Sequence, residues 1–413
     1  MVNLKPLLPL LTAAGILLAG NGLQGTLIAL RAAQEGFDPA LVGFMGMGYF
    51  VGFMISCLFA ARLIRAVGHI RVFAALAAIA AAGSLLLVLV IDPYVWIALR
   101  FVLGFCFAGL FMTIESWLNG AVANAERARV LSLYRMIDLA VVTGAQFLIP
   151  AFGVAGFALF AVMAMMICLS LVPVSLGDRS NPMPPEEIRF SATAIWAISP
   201  VACIGCITIG LTNSAFRLMG PIYAGNIGMD TGDVALFISA GIVGGAVLQY
   251  PLGWLSDRLD RRWVLIASTS GAVFAGLFLA QAAGTSALLN YAGIFAFGAF
   301  ALPLYSLSAA HANDRARPGQ FVLVAAGLSF FFSLGAAVGP VLAAWVMKTF
   351  GVSAFFTYTS VVHASLVVVT LWRMRVRGRP LAARTRRFVT LLRTSPALTR
   401  MAQGTSGQER PEA

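Results

Sequence analysis

The chain has 413 residues, 60% of them hydrophobic and 11% charged, with a net charge of +12 and a mean hydropathy of +0.89. Soluble domains carry about 45–50% apolar and about 25% charged residues, so this composition excludes a soluble enzyme, a disordered chain and a nucleic-acid-binding module. Lipid is the solvent for most of the chain. At roughly 20 apolar residues per crossing, its length accommodates twelve membrane spans.

The apolar run at 7–30 outlasts the core of a secretion signal and is followed by no small-x-small cleavage pattern, so it reads as a retained span. Further runs follow at 40–61, 71–91, 94–118, 130–151 and 153–174. A polar break at 175–195 contains Pro182, Pro184 and Pro185, which disfavour a continuous helix. Six more runs occupy 196–222, 233–254, 264–283, 286–309, 320–347 and 352–372. The expected organisation is all-α: an N-terminal bundle over 1–174, a cytoplasmic linker over 175–195, a C-terminal bundle over 196–372 and a basic tail over 373–413.

Arginine distribution gives the orientation. With the N-terminus inside, the inner loops hold Arg62, Arg65, Arg71, Arg127, Arg129, Arg258, Arg261, Arg262, Arg315 and Arg317, while Arg31 and Lys348 are the outer cations. The tail from Arg373 onward adds ten arginines against Glu409 and Glu412. This asymmetry predicts a bacterial inner-membrane protein with both termini cytoplasmic. The tail is suited to anchoring topology on anionic lipid headgroups, with partner binding as the other reading. Cys203 and Cys206 form a lone C-x-x-C, and His69, His311 and His363 are scattered, so neither a metal site nor a cofactor is expected. No phosphate-binding loop is present, and Lys5 and Lys348 are the two lysines in the chain. Energy must come from an ion or solute gradient, and no paired acid and histidine or activated nucleophile suggests an enzyme.

A gapless shift of 192 residues matches Asn21 with Asn213, Gly36 with Gly228, Asp38 with Asp230, Val51 with Val243, Gly52 with Gly244 and Leu63 with Leu255. Such matches, agreeing with the six-plus-six division, point to an internal duplication. In the second half GWLSDRLDRR (Gly253, Leu255, Asp257, Arg258, Arg261, Arg262) resembles the G-x-L-x-D-R-x-G-R-R loop of the major facilitator superfamily. The first half carries ARLIRAVGHIR, in which Leu63, Gly68 and Arg71 fit while Ala61 and Arg65 replace the usual glycine and acid. Arg100, Gly104 and Ala108 resemble the superfamily's fourth-helix pattern. Together with ESWLN at Glu115–Asn119, Arg127, Arg129, Tyr134 and Gln146, they resemble its YcaD-like branch. The resemblance implies twelve helices in two pseudo-symmetric six-helix bundles, working as a monomer by alternating access. It also implies that Arg65 cannot serve the first-half latch as an acid would.

Ionisable groups inside apolar spans are expensive and each needs a reason. Asn21, Gln24, Arg100, Gln146, Asn213 and Arg217 fall at similar depth, and the resemblance puts the first, fourth, seventh and tenth helices around the central cavity. These six are candidate substrate contacts, with an anion favoured by the two guanidiniums; interhelical hydrogen bonding is the competing reading. Glu115 is a candidate for gating, by pairing with Arg127 or Arg129, or for carrying a proton. Arg135 and Asp138 are spaced to form an ion pair that is either structural or titrating. Asp257 and Arg258 belong to the inner gating loop. The expected function is secondary transport of a small organic solute, an anion being one reading of its arginines, driven by protons. Multidrug-type efflux and a non-transporting sensor that keeps the fold are the alternatives.

Overall fold

The computed structural model describes residues 7–122, 127–176, 191–317 and 320–376. Within them the chain forms α1 (Leu8–Gln34), α2 (Pro39–Val67), α3 (His69–Leu89), α4 (Pro93–Ala121), α5 (Arg127–Gln146), α6 (Leu148–Phe152) and α7 (Ala158–Leu176). It continues with α8 (Ala192–Ile198), α9 (Pro200–Asn226), α10 (Thr231–Arg258), α11 (Arg261–Ala282), α12 (Ala287–Ala301), α13 (Leu304–Asn313), α14 (Phe321–Phe350) and α15 (Ala354–Val376). Twelve stretches among the described residues are long and apolar enough to cross a membrane, α12 and α13 together making the tenth.

Two of the runs expected to be continuous are broken, and proline explains both. Pro150 has no N–H for the Gln146 carbonyl, and α5 ends at Gln146. Pro303 likewise frees the Ala299 carbonyl, and α12 gives way to α13 across Leu302 and Pro303. Helix α8 starts inside the stretch expected to be linker, with Ser191 Oγ accepting from the Ala194 N–H at 3.3 Å. The rest of that linker, 177–190, and the tail from 377 onward lie outside the described residues.

The duplication is visible in the connections. Helix α1 closes with Gly36 at φ 73° and α9 with Gly228 at φ 94°, a left-handed conformation in which glycine avoids the Cβ penalty. In both, the next amide reaches back five residues, Phe37 to Ala32 and Met229 to Ala224, at 3.0 and 3.1 Å. Asp38 and Asp230 then accept from backbone amides at the start of α2 and α10, each at 2.8 Å.

The helices gather into two compact units. One holds α1, most of α2, and α3 to α7; the other holds α8 to α15 and takes in residues Asp38–Gly43. In that second unit Lys348 Nζ lies 2.6 Å from Asp38. This hydrogen bond, followed by that of the Ala40 amide, holds the Asp38 carboxyl below its ordinary value.

Lipid tails are as apolar as leucine, so close van der Waals contact between small residues, rather than burial from water, holds membrane helices together. In the first unit, Gly52 of α2 faces the Phe101 carbonyl of α4, and Gly104 of α4 faces the Tyr49 carbonyl of α2. The second unit repeats the arrangement: Gly244 of α10 faces the Phe295 carbonyl of α12, and Gly298 of α12 faces the Gly241 carbonyl. Any Cβ at these four positions would strike backbone.

Gly104→Val and Gly298→Val should therefore each cost several kilocalories, at or above the ~1–3 kcal/mol typical of overpacking. Gly144→Ala, where a Cβ meets nothing within 4 Å, should leave thermal stability within about 1 kcal/mol. Melting of purified protein in detergent, followed by intrinsic fluorescence and size-exclusion profile, checks the contrast.

Candidate functional site

In the first unit the α2–α4 crossing brings Tyr49 beneath Arg100. The Arg100 guanidinium sits 4.3 Å from the Tyr49 ring centroid, and its Nη1 donates to Gln24 Oε1 on α1. The Tyr49 hydroxyl donates to Asn21 Oδ1 at 2.6 Å. A ring face and an amide oxygen thus help meet the charge of an arginine that is 4% exposed. Because Gln24 turns its oxygen toward Arg100, its Nε2 is left buried without a hydrogen-bond partner among the described residues. Asn21, half-buried, closes the chain of contacts. Tyr49 was invisible as a site residue in the sequence, since nothing in an apolar run marks which tyrosine will meet a cation.

Gln146 stands apart from this cluster. It accepts from Thr26 Oγ1 at 2.7 Å and donates to the Gly22 and Val142 carbonyls at 3.1 and 3.3 Å. Its amide is occupied holding α5 against α1.

Glu115, on α4, is fully buried. It accepts from the Tyr134 hydroxyl of α5 at 3.1 Å. One residue on, Ser116 Oγ lies 3.3 Å from His69 Nε2, and the His69 ring packs 5.8 Å from that of Trp117. The side chains of Arg127 and Arg129 lie outside the described residues. Farther along α5, Arg135 donates to Asp138 at 2.7 Å, both side chains partly exposed.

In the second unit, Thr212, Asn213 and Phe216 of α9 line a small open cleft with Phe297, Gly298 and Ala301 of α12. Asn213 is 8% exposed, and its carboxamide makes no hydrogen bond among the described residues. Thr212 spends its hydroxyl proton on the Thr208 carbonyl at 3.0 Å. Arg217, one helical turn beyond Asn213, is exposed.

The loop after α10 is a charge network. Arg261, 3% exposed, donates to Asp314 at 2.7 Å, to Ser256 at 3.0 Å and to Asp257 at 3.1 Å. Arg262 pairs with Asp260 at 2.7 Å. The Arg258 guanidinium carbon sits over Trp254, 3.8 Å from its ring centroid. Asp314 was missed in the sequence, although an acid closing the tenth span was its available signal. The first half departs in a coordinated way. Arg65, standing for Asp257, is exposed, and buried His69, standing for Arg261 in the 192-residue repeat, turns to Ser116. Replacing the acid went together with replacing its arginine.

Two six-helix repeats with membrane-embedded charges and a charged loop after the second span of each define a membrane transporter. A family model described as Major Facilitator Superfamily matches residues 10–201 and 201–404. The chain belongs to that superfamily and is a multi-pass membrane protein of the secondary-transporter class. It is 25% identical over 385 residues to the "Uncharacterized MFS-type transporter YcaD" of Escherichia coli O139:H28, covering 92% of this chain and 98% of that protein. It has the same identity and coverage with the YcaD of Shigella flexneri. Among solved structures it resembles the nucleoside transporter NupG, with a TM-score of 0.75 and 11% identity over 91% of this chain and all of that one. A bacterial homologue of the human lysosomal transporter Spinster matches with a TM-score of 0.70 and 13% identity, over 91% and 97% of the two chains. At these identities the structural likeness speaks for the fold.

Hydrogen bonds to a charged group are worth roughly 1.5–3 kcal/mol. Gln24→Leu should lower stability on that scale by stripping Arg100 of an acceptor, and Gln24→Glu should recover most of it. Thermal melting of the two variants beside the parent checks the order.

Proposed function

We propose that the chain moves a small organic solute across the inner membrane, coupled to protons, with Glu115 as the proton-carrying carboxylate. The observation that supports this most is a carboxylate with no exposure inside a membrane helix, met by a tyrosine hydroxyl that can serve either protonation state. Asp138, tied to Arg135 and partly exposed, is the second candidate in the same role. His69, Ser116 and Trp117 form the packing beside Glu115 through which a closing movement would be felt.

In the second unit the proposed solute contacts are Asn213 and Arg217; the first unit, taken by itself, offers Asn21, Gln24 and Arg100. Arg100 is already engaged by Gln24 and Tyr49, so its part is to hold those side chains in place while Gln24 Nε2 offers a donor. Arg217 is the exposed guanidinium, and its position supports an anionic group on the solute. The free carboxamide of Asn213 beside Phe216 and Phe297 suits a flat group with its own donor and acceptor. Carboxylates and nucleosides are therefore the first solutes to try. The charged loops after α2 and α10 would lie on the cytoplasmic side, as the arginine distribution requires.

Glu115→Gln should bring pH-gradient-driven accumulation in proteoliposomes to background while solute exchange at equal pH persists. Accumulation that survives in both Glu115→Gln and Asp138→Asn would remove the coupling assignment. An untargeted metabolite comparison of cells with and without the protein supplies the solute for that assay.

A further inference from the structure

One face of α9 narrows the class of solute, given the reading of Asn213 and Arg217 as solute contacts, on which this rests. From Thr212 to Ala224 the helix is buried except at Arg217. Asn213, Phe216 and Arg217 are spaced at three and four positions, so they share one side of the helix. Arg217 makes no ion pair or hydrogen bond among the described residues, and a guanidinium within a membrane helix needs a reason. In the 192-residue repeat the matching positions of α1 are Asn21, Gln24 and Gly25. The amide is common to both halves; the ring and the cation belong to the second alone.

Phe216 meets Phe297 of α12 at the cleft, with ring centroids 6.4 Å apart and planes inclined at 53°. Both rings are held by further aromatic contacts. Phe237 lies 6.3 Å from Phe216, and Phe356 and His363 stand edge-on to Phe297 at 5.5 and 5.7 Å. Rings fixed in this way have little rotamer freedom left to lose when a flat partner binds. Asn213 lines the same cleft, buried and with its carboxamide making no hydrogen bond among the described residues. A buried amide in that condition is costly until a ligand supplies the missing partner.

A guanidinium presents a fork that fits both oxygens of a carboxylate. Residues four apart on a helix stand about 5–6 Å apart at Cβ, a separation that one six-membered ring with a substituent at each end can bridge. The cleft is small and open, so it takes the edge of a ring rather than a whole nucleoside. A nucleoside also brings no anion to Arg217, and an aliphatic dicarboxylate brings no face to the phenyl rings. We propose that the solute is an aromatic carboxylate. Its carboxylate pairs with Arg217, its ring lies against Phe216 and Phe297, and a hydroxyl or ring nitrogen on the far side of the ring bonds the Asn213 carboxamide.

Calorimetric titration of the purified full chain in detergent, at one pH and without a gradient, tests this apart from transport and proton coupling. The probes are 4-hydroxybenzoate, benzoate, 4-hydroxybenzamide, succinate and uridine. The parent should bind 4-hydroxybenzoate tightest, with benzoate and 4-hydroxybenzamide weaker by about tenfold or more and the other two weakest. Arg217→Gln should abolish the preference for 4-hydroxybenzoate over 4-hydroxybenzamide while keeping that over benzoate. Asn213→Leu should do the reverse, and Phe297→Leu should weaken all three aromatic probes together. Arg217 is exposed, so the ligand-free Arg217→Gln variant should melt with the parent. A parent that binds neither aromatic carboxylate, or binds uridine or succinate as tightly, overturns the proposal. So does a folded Arg217→Gln variant that still prefers the carboxylate to the amide. Loss of the Glu115 coupling assignment would leave these affinities as they are, so the two readings fail separately.

Discussion

Backbone meeting backbone at two glycine crossings is the constraint on which the rest of the structure depends. In lipid no water is available to be released, so a helix pair is as stable as its contact is close and its polar groups satisfied. Gly52 and Gly104 in one unit, and Gly244 and Gly298 in the other, let main chain approach main chain. That approach sets the rotation of each helix about its axis. Rotation in turn decides which side chains look inward, and Tyr49 comes to lie beneath Arg100 because its own carbonyl faces Gly104.

Two buried arginines illustrate two ways of keeping a cation in such an interior. Arg261 is neutralised by carboxylates from α10 and the end of α13, which makes it a rivet between helices. Arg100 is met by an amide oxygen and a ring face, which satisfy it without cancelling its charge in the same way. The first arrangement rigidifies one end of a unit. The second leaves a positive group and a spare amide donor among α1, α2 and α4. Arg217 and Asn213 complete the contrast, one exposed and the other buried with its carboxamide uncommitted.

The duplication has been kept where geometry demands it and lost where chemistry has diverged. Both halves retain the terminating glycine, the following aspartate and the reciprocal glycine crossing. In the loop after the second span, Arg65 and His69 have replaced the pairing of Asp257 with Arg261. A lone acid-to-arginine change would have set two cations one turn apart; the accompanying histidine, packed against Ser116 and Trp117, avoids that repulsion.

Much was determined by the sequence alone. Apolar runs, arginine asymmetry and the 192-residue repeat specified twelve helices in two related halves, because hydrocarbon thickness and charge cost act on residue type regardless of partners. The Arg135–Asp138 pair was legible for the same reason, its spacing being local to one helix. Tertiary structure decided what depends on which helix faces which. It separated Gln146, tied into α1, from Asn21 and Gln24; it supplied Tyr49, Tyr134 and Asp314 as unforeseen partners; and it left the Asn213 carboxamide beside two phenyl rings, without a hydrogen bond among the described residues. Those outcomes follow from crossing angles and helix rotation, set by contacts between residues far apart in the chain, and no local pattern encodes them.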